Sequence, residues 1–360
     1  MSNGIVNYIV QKGKGEMKTL LGLALVVCTA VSARAETQIF NAYDFAFENG
    51  PVLPELRIAY ETHGNLDPGR DNAILLVHGA SGDRHSFDSR IGPGKTFDTN
   101  KYFVITVDAI GGGESASPRD GLGQDFPRYT IRDMMAAQHA LVTRGLELAT
   151  LRAVGGSAMG SFVSLEWGIH HPEMVRGLIL LLPSPKTKAD FQLTVDLVTS
   201  VIALDPEWQG GRYTHNPVEG LRLAGMLYYP CVVSAAYLDR ISAAQVAKEL
   251  EESARSYARW DANSLVFRYA ASRAHDVSAP FDGDMAAALS QIAAPTLILP
   301  SASDRLLGLG GARRIRDGVK LASYAEIPSD LGHRAGDAAP DTTEGRFIDQ
   351  QIRAFLAKIE

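Results

Sequence analysis

The sequence predicts an α/β fold in which a mostly parallel sheet is covered by helices on both faces and carries an inserted helical segment. Three observations lead to this prediction. Short apolar segments alternate with longer amphipathic ones, as expected when helices connect parallel strands. The strand candidates are apolar throughout, which is typical of strands buried on both faces. One long internal segment contains helical patterns without any clear strand.

Composition agrees with a globular chain. The protein has 360 residues, of which 46% are hydrophobic and 21% are charged. This length is sufficient to bury a sizeable core. The net charge is -6 at pH 7, and no basic run follows the N-terminal segment. Since nucleic-acid affinity rests on clustered Lys and Arg, we expect no nucleic-acid partner.

The first element along the chain is a targeting segment. Met17 and Lys18 begin a short charged region, residues 20–31 are apolar, and Ala33-Arg34-Ala35 forms a small-x-small cleavage site. The apolar part falls short of the roughly 20 residues that span a bilayer. We therefore expect residues 1–35 to be an upstream extension and a bacterial signal peptide spanning Met17 to Ala35, removed by cleavage after Ala35. The mature chain would be secreted or periplasmic, without stable membrane insertion.

The strands and helices follow in alternation. Buried strands are predicted at residues 73–77, 102–107, 151–154, 178–182 and 296–299, and helices at residues 130–144 and 162–170. The stretch 185–290 shows only amphipathic helical patterns. The sequence therefore predicts a core formed by residues 36–184 and 291–360, with a helical cap of residues 185–290 over the carboxyl edge of the sheet.

The segment 151–167 reads as a strand, a tight turn and a helix, and it carries the functional prediction. Gly156-Ser157-Ala158-Met159-Gly160 has both glycines of a G-x-S-x-G nucleophile elbow, in which small residues let the backbone crowd around a strained turn. The central position holds Ala158, and the serine comes one place early. Ala158 therefore occupies the nucleophile position. Ser157 is the alternative nucleophile, but only if the register shifts.

An acid and a histidine follow in the chain order expected after such an elbow. Asp304 comes shortly after the strand at 296–299, and His333 comes after the segment YAEIP at 324–328. In a triad the histidine takes the proton of the nucleophile, while the acid holds the imidazole in the correct tautomer. Asp330 is a second candidate acid. Because it lies so near His333 in sequence, it is the poorer orienting partner.

A glycine-rich turn after the strand at 73–77 supplies the remaining part of the site. His78-Gly79-Ala80-Ser81-Gly82 leaves backbone N–H groups free, and we expect those of Ala80 and Met159 to converge as an oxyanion hole. The chain contains no metal-binding motif, and the glycine run 111–113 lacks the Lys and Ser of a phosphate loop. The sequence therefore predicts neither a metal nor a cofactor.

Several further segments carry a family resemblance. They read LRIAYETHG at 56–64, DNAIL at 71–75, IGPGKTFDTNKYFVI at 91–105, FPRYTIRD at 126–133, LEW at 165–167 and DPEWQGGRY at 205–213. With these segments and the acid and histidine loops, the chain resembles the homoserine O-acetyltransferase-like branch of the α/β-hydrolases. The resemblance implies an α/β-hydrolase fold, a Ser-Asp-His triad and an acyl-enzyme. Its elbow aligns without a gap over residues 151–167, which puts the family's serine on Ala158 and its preceding glycine on Ser157.

The resemblance fails at the residues that recognise the amino-acid substrate in the acyltransferases. Their cap arginine falls on Gly225 here, and their tyrosine falls on Val232. Glycine cannot clamp a carboxylate as arginine does, and Arg222 points elsewhere on the same helix. The expected export also fits poorly with a cytosolic acetyl-CoA reaction. We therefore expect a serine ester hydrolase acting on a small-molecule ester or acyl substrate, with an apolar, aromatic-containing cap lining and no obvious polar specificity device.

The meaning of Ala158 is left open by the sequence. An engineered or recent Ser→Ala loss would explain why Asp304 and His333 are retained. A natural pseudoenzyme that binds an ester, an acyl ligand or a partner is the alternative, and O-acyl transfer to an alcohol other than homoserine is another. In each case the chain as written is expected to be close to inert as an esterase. The oligomeric state stays open, a homodimer included.

Overall fold

An eight-stranded sheet organises residues 36–359, the part of the chain that the computed structural model describes. The expected extension and signal peptide, residues 1–35, lie outside the described residues. The strands are β1 (Gln38–Ala46), β2 (Val52–His63), β3 (Ala73–Val77), β4 (Phe103–Val107), β5 (Ala153–Ser157), β6 (Leu178–Leu181), β7 (Thr296–Leu299) and β8 (Ala322–Tyr324). Their order is β1-β2-β4-β3-β5-β6-β7-β8. β2 is antiparallel to both of its neighbours, and every pair from β4 to β8 is parallel.

Helices cover both faces of this sheet. Those connecting or following the core strands are α1 (Ile131–Ala140), α2 (Met159–His170), α9 (Gly308–Gly318) and α10 (Thr343–Leu356). Along β3, Leu75 and Val77 belong to the core that contains α1 and α2, whereas Ile74 and Leu76 belong to the core that contains α10. Because both faces are buried, β3 has no position at which a polar residue would be tolerated. The predicted α/β fold is confirmed.

Two features of the sheet differ from the sequence prediction. β1 and β2 precede the first predicted strand, and they escaped it because many of their side chains are exposed and polar. β5 extends to Ser157 and α2 begins at Met159, so Ala158 alone separates the strand from the helix. The strand continues through glycine and serine because its backbone pairs with β6 up to Leu181, whatever the side chains.

Six helices lie between β6 and β7, in the segment that the sequence assigns to a cap. They are α3 (Ala189–Ile202), α4 (Val218–Val232), α5 (Ala235–Arg240), α6 (Ala243–Tyr257), α7 (Ala262–Arg273) and α8 (Met285–Ser290). Side chains from α3, α4, α6 and α7 line a cavity together with the turn at the end of β5. Within residues 36–359, no helix combines the length and apolarity needed to cross a bilayer.

Candidate active site

The turn between β5 and α2 has the geometry of a nucleophile elbow. Ala158 stands between strand and helix with φ 50° and ψ -113°, a backbone conformation that costs a non-glycine residue strain. Its N–H donates to the carbonyl oxygen of Leu181 on β6 at 3.0 Å. The tip of the elbow is thus occupied by a methyl group rather than a hydroxyl.

The two glycines around the elbow are required by close backbone contacts. A Cβ on Gly156 would lie 2.3 Å from the carbonyl carbon and oxygen of Gly160, and one on Gly160 would lie 2.0 Å from the carbonyl oxygen of Val77. No side chain can be accommodated at either distance. The register in which Ala158 is the central residue therefore accounts for both glycines.

Asp304 and His333 are brought together on loops that follow β7 and β8. The Nδ1 atom of His333 lies 2.8 Å from Oδ2 of Asp304. Asp304 Oδ1 accepts from the backbone N–H of Leu306 at 2.8 Å, and Gly332 N–H donates to Ser303 Oγ at 3.0 Å, which ties the two loops. These contacts fix the imidazole with Nδ1 towards the carboxylate and leave Nε2 without a hydrogen bond to any described residue.

The electrostatics of this pair follow from burial and mutual charge. Burial by itself would lower the pKa of His333, but the carboxylate of Asp304 and its hydrogen bond outweigh it and raise that pKa above the usual histidine range. Burial favours the neutral form of Asp304, yet His333 and the backbone donors hold its pKa below the ordinary value. Asp304 is accordingly an ionised orienting partner for His333.

The two alternative residues lie elsewhere. Asp330 forms a bidentate ion pair with Arg240 of α5, at 2.6 and 2.8 Å, and so makes no contact with the imidazole. Ser157 is 6% exposed and borders the cavity. Its Oγ faces Gly336, 3.2 Å from where a Cβ on that glycine would lie. No hydrogen bond joins Ser157 to His333.

The expected oxyanion donors border the same space. Ala80 and Met159 line the cavity that contains Ala158 and His333, and neither N–H donates to another described residue. The loop carrying Ala80 is shaped by His78, whose Nε2 accepts from Ala109 N–H at 3.0 Å and whose Nδ1 lies 2.7 Å from Gly79 O. Two free N–H groups therefore flank the elbow.

The cavity itself measures about 570 Å³, a size typical of small-molecule sites. Its core side is formed by the elbow, the glycine-rich loop and the histidine loop, and its cap side by apolar and aromatic residues. These cap residues include Phe191, Val195, Tyr228, Val232, Tyr257 and Tyr269.

Comparison with known proteins decides the family. The family described as alpha/beta hydrolase fold matches residues 72–336 of this chain. The chain belongs to the α/β-hydrolases. A homoserine O-acetyltransferase from Leifsonia xyli subsp. xyli is 33% identical to this α/β-hydrolase over 334 residues, covering 80% of this chain and 83% of the relative. The resemblance to the homoserine acyltransferase branch is thereby confirmed.

Solved structures of two activities share the fold of this α/β-hydrolase. A homoserine O-acetyltransferase from Bacillus anthracis superposes with a TM-score of 0.80 and 27% identity, covering 89% of this chain and 97% of that one. The acetyl esterase MekB superposes with a TM-score of 0.83 and 25% identity, covering 90% and 96%. Acyl transfer to an alcohol and ester hydrolysis thus both occur on this architecture.

One sequence expectation about the cap lining is wrong. The cavity contains a polar cluster in which the Glu249 carboxylate accepts from the Tyr237 hydroxyl at 2.6 Å, the Tyr229 hydroxyl at 3.0 Å and Arg334 Nη1 at 2.5 Å. Burial opposes ionisation of Glu249, but these donors together with Gln245 lower its pKa to about 2. Two further carboxylates, Glu252 and Asp337, also line the cavity. The lining is therefore polar as well as aromatic.

Sequence reasoning missed this cluster because its members lie on separate elements. Glu249 belongs to α6, whose amphipathic pattern gives no reason to single out one glutamate, and it meets Arg334 across 85 residues of sequence. The one available signal was the position of Arg334 directly after His333. A charged side chain next to His333 is a candidate for the cavity lining, and Arg334 does line the cavity.

The positions that depart from the acyltransferases have structural roles. Gly225 on α4 contacts α6 so closely that a Cβ would lie 2.6 Å from Ser253 O. Val232 lines the cavity. Arg222 pairs with Glu251 at 2.8 Å on the outer side of the same helices. Helix α6 thus occupies the space into which the side chain of an arginine at position 225 would have to extend.

Proposed function

We propose that this chain carries the machinery of a serine ester hydrolase whose nucleophile has been replaced by alanine, so that it binds small ester or acyl molecules with little turnover. The observation that carries the proposal is the contact between His333 and Asp304, located beside an elbow whose tip is Ala158. A histidine held by an ionised acid beside an elbow is the arrangement in which the histidine acts as a general base. The family and its esterase and acyltransferase relatives support acyl chemistry.

The mechanism follows from restoring the missing atom. With serine at position 158, His333 Nε2 would take the hydroxyl proton as the oxygen attacks the ester carbonyl, and Asp304 would stabilise the resulting imidazolium. The negative oxygen would accept from the N–H groups of Ala80 and Met159. His333 would then protonate the leaving alcohol, and water would release the acid from the acyl-enzyme. In the chain as it stands, the attack step has no nucleophile.

Hydrolysis is preferred to transfer onto homoserine because none of the described residues of α3 to α8 that line the cavity is a cation able to contact an amino-acid carboxylate. Gly225 stands at the arginine position of the acyltransferases, and Arg222 is engaged by Glu251. Arg334, a cation that does line the cavity, is paired with Glu249. An alcohol acceptor other than homoserine is the second candidate function, supported by the acyltransferase relatives.

The test is reversion of the elbow. Ala158→Ser is expected to raise the hydrolysis of short-chain p-nitrophenyl esters by residues 36–360 by up to about a million-fold, the loss seen when a triad serine is removed. Adding His333→Ala to this variant should abolish the gain. Adding Ser157→Ala instead should leave it unchanged.

Two results would contradict the proposal. Equal activity of the unmodified chain and the revertant, lost with Ser157→Ala, would make Ser157 the nucleophile. No activity of the revertant on any acyl length would favour a binding protein. If alcohols added to an active revertant divert the acyl group from water into a new ester, the transferase alternative gains support.

A further inference from the structure

A buried cation lies behind the glycine-rich loop of the site. Arg268, on cap helix α7, is fully buried. Its Nη1 donates to the carbonyl oxygen of Ala80 at 2.8 Å and to that of Gly82 at 3.1 Å. These contacts join residues separated by 188 and 186 positions. The cap thus holds the loop that carries a candidate oxyanion donor.

Arg268 forms no ion pair with a described residue, although the carboxylates of Asp108 and Asp83 act on its charge from a greater distance. No carboxylate of the described residues lies within ion-pair distance, and Nε and Nη2 have no hydrogen-bond acceptor. The buried carboxylate of Asp108 is engaged by Arg84 at 2.6 Å. A further stabilising contact is the indole of Trp260, whose centre lies 4.6 Å from the guanidinium carbon. An unpaired buried charge is expensive, which suggests that it is retained for a function.

The neighbouring histidine is neutral and cannot serve as a second charge. Burial, reinforced by Arg268, lowers the pKa of His78 to about 4. Since its Nε2 accepts from Ala109 N–H, its Nδ1 carries the proton and donates to Gly79 O. The positive potential behind the loop therefore comes from Arg268.

The contacts also set the direction of the peptide groups. In a trans peptide the C=O of one residue and the N–H of the next point in opposite directions. Gly79 O is held by His78 Nδ1 and by Gly82 N–H, the latter at 3.0 Å. The N–H of Ala80 must point away from those donors, and it has no partner among the described residues. Arg268 fixes the next peptide through Ala80 O.

We propose that Arg268 is a positioning residue of the oxyanion hole, fixing the 80–82 loop and lending it a positive charge that no direct ion pair neutralises, so that this nucleophile-free site binds carboxylate anions. One carboxylate oxygen would accept from Ala80 and Met159 N–H, and the other would lie beside His333 above the Ala158 methyl group. The inference uses the oxyanion hole of the proposed function but requires no turnover. Glu249 is paired with Arg334, so the cavity carboxylates that oppose such a ligand are Asp337 and Glu252.

The experiment compares an anion with a neutral molecule of the same shape. Binding of butyrate and of butyramide to the unmodified chain is measured by calorimetry, beside Arg268→Lys, Arg268→Gln and Arg268→Met. Loss of an electrostatic contribution of this kind should weaken butyrate binding roughly tenfold in the Gln and Met variants while butyramide binding changes little. Lys, which keeps the charge, should retain most of the butyrate affinity. Asp337→Asn should strengthen it.

Two outcomes of the binding experiment overturn the inference. Absence of butyrate binding to the unmodified chain removes the anion site. Equal losses for butyrate and butyramide, in variants whose thermal unfolding shows them to be folded, would make Arg268 merely structural. Failure of the Met variant to fold leaves the Lys and Gln pair as the test. An inactive Ala158→Ser revertant with Arg268-dependent butyrate binding would refute the proposed function alone, and the converse pattern would refute this inference alone.

Discussion

At the scale of single residues, Ala158 keeps the backbone of a nucleophile without its hydroxyl. Its φ of 50° and ψ of -113° cost on the order of 1–3 kcal/mol for a residue with a Cβ. Glycine would relieve that strain, and the additional chain entropy that it loses on folding is a smaller cost than the strain. We therefore expect Ala158→Gly to raise the free energy of unfolding by about 1 kcal/mol in urea titrations.

The matched control for the elbow is Ala247→Gly, an exposed position inside α6 with ordinary helical backbone. There glycine should lower the free energy of unfolding by about 1 kcal/mol. Equal destabilisation by the two substitutions would show that the elbow backbone is unstrained.

His333 gives the second prediction at this scale, in the pH profile of the Ala158→Ser revertant. The base must be neutral to act, and Asp304 raises its pKa despite burial, with a smaller contribution from Asp337. The rise of kcat/KM with pH should therefore have its midpoint above the usual histidine pKa range. Asp337→Asn removes a negative charge and should move that midpoint to lower pH.

The control for the pH profile is Glu252→Gln, which alters a carboxylate that lines the same cavity without appearing among the charges that act on His333. It should leave the midpoint in place. A midpoint that moves equally in both variants would mean that general cavity charge, rather than Asp337, acts on the imidazole.

At the scale of elements, the sequence predicted β3 and β7 with their observed bounds because each is a short apolar run buried on both faces. It missed β1 and β2, in which exposed and buried side chains follow neither a strict alternation nor a continuous apolar run, and whose pairing is set by the backbone. The elbow was recognised from Gly156 and Gly160, since close packing leaves only glycine there. The sequence therefore identifies elements whose residue types are dictated by burial or by close backbone packing.

The crossing of α4 and α6 gives the prediction for this scale. A Cβ on Gly225 would meet Ser253 O at 2.6 Å and Tyr257 Cβ at 3.0 Å, so Gly225→Ala must push the helices apart. We expect a loss of about 1–3 kcal/mol in the free energy of unfolding. Leu223→Ala, at a half-exposed position of α4, should change it by no more than about 0.5 kcal/mol. Unchanged stability of Gly225→Ala would show that the helices separate freely.

At the scale of the whole molecule, what the sequence could not supply are contacts between cap and core. Asp304 and His333 were predictable because each follows a predicted strand-like segment in the chain order nucleophile, acid, histidine. Arg268 meets Ala80, and Glu249 meets Arg334, only because the helices between β6 and β7 pack against loops of the core. No periodicity encodes such pairs. They depend on how two separately patterned segments dock.

The ion pair between Glu249 of the cap and Arg334 of the histidine loop makes that docking sensitive to acid. The folded-state pKa of Glu249 is lowered to about 2 from an ordinary value of 4.5, so its ionised form stabilises the folded chain above pH 4.5. This contribution is of order 3 kcal/mol at neutral pH and is lost as pH falls from about 4.5 towards 2.

Glu249→Gln should thus lower the free energy of unfolding at pH 7 by about 2 kcal/mol. The difference from the unmodified chain should shrink steadily below pH 4.5. Denaturant titrations at pH 7, 5 and 3 would measure it, with the exposed Glu252→Gln as the control that stays within about 0.5 kcal/mol. A difference independent of pH would show that Glu249 acts by packing, and that its charge does not hold the cap to the core.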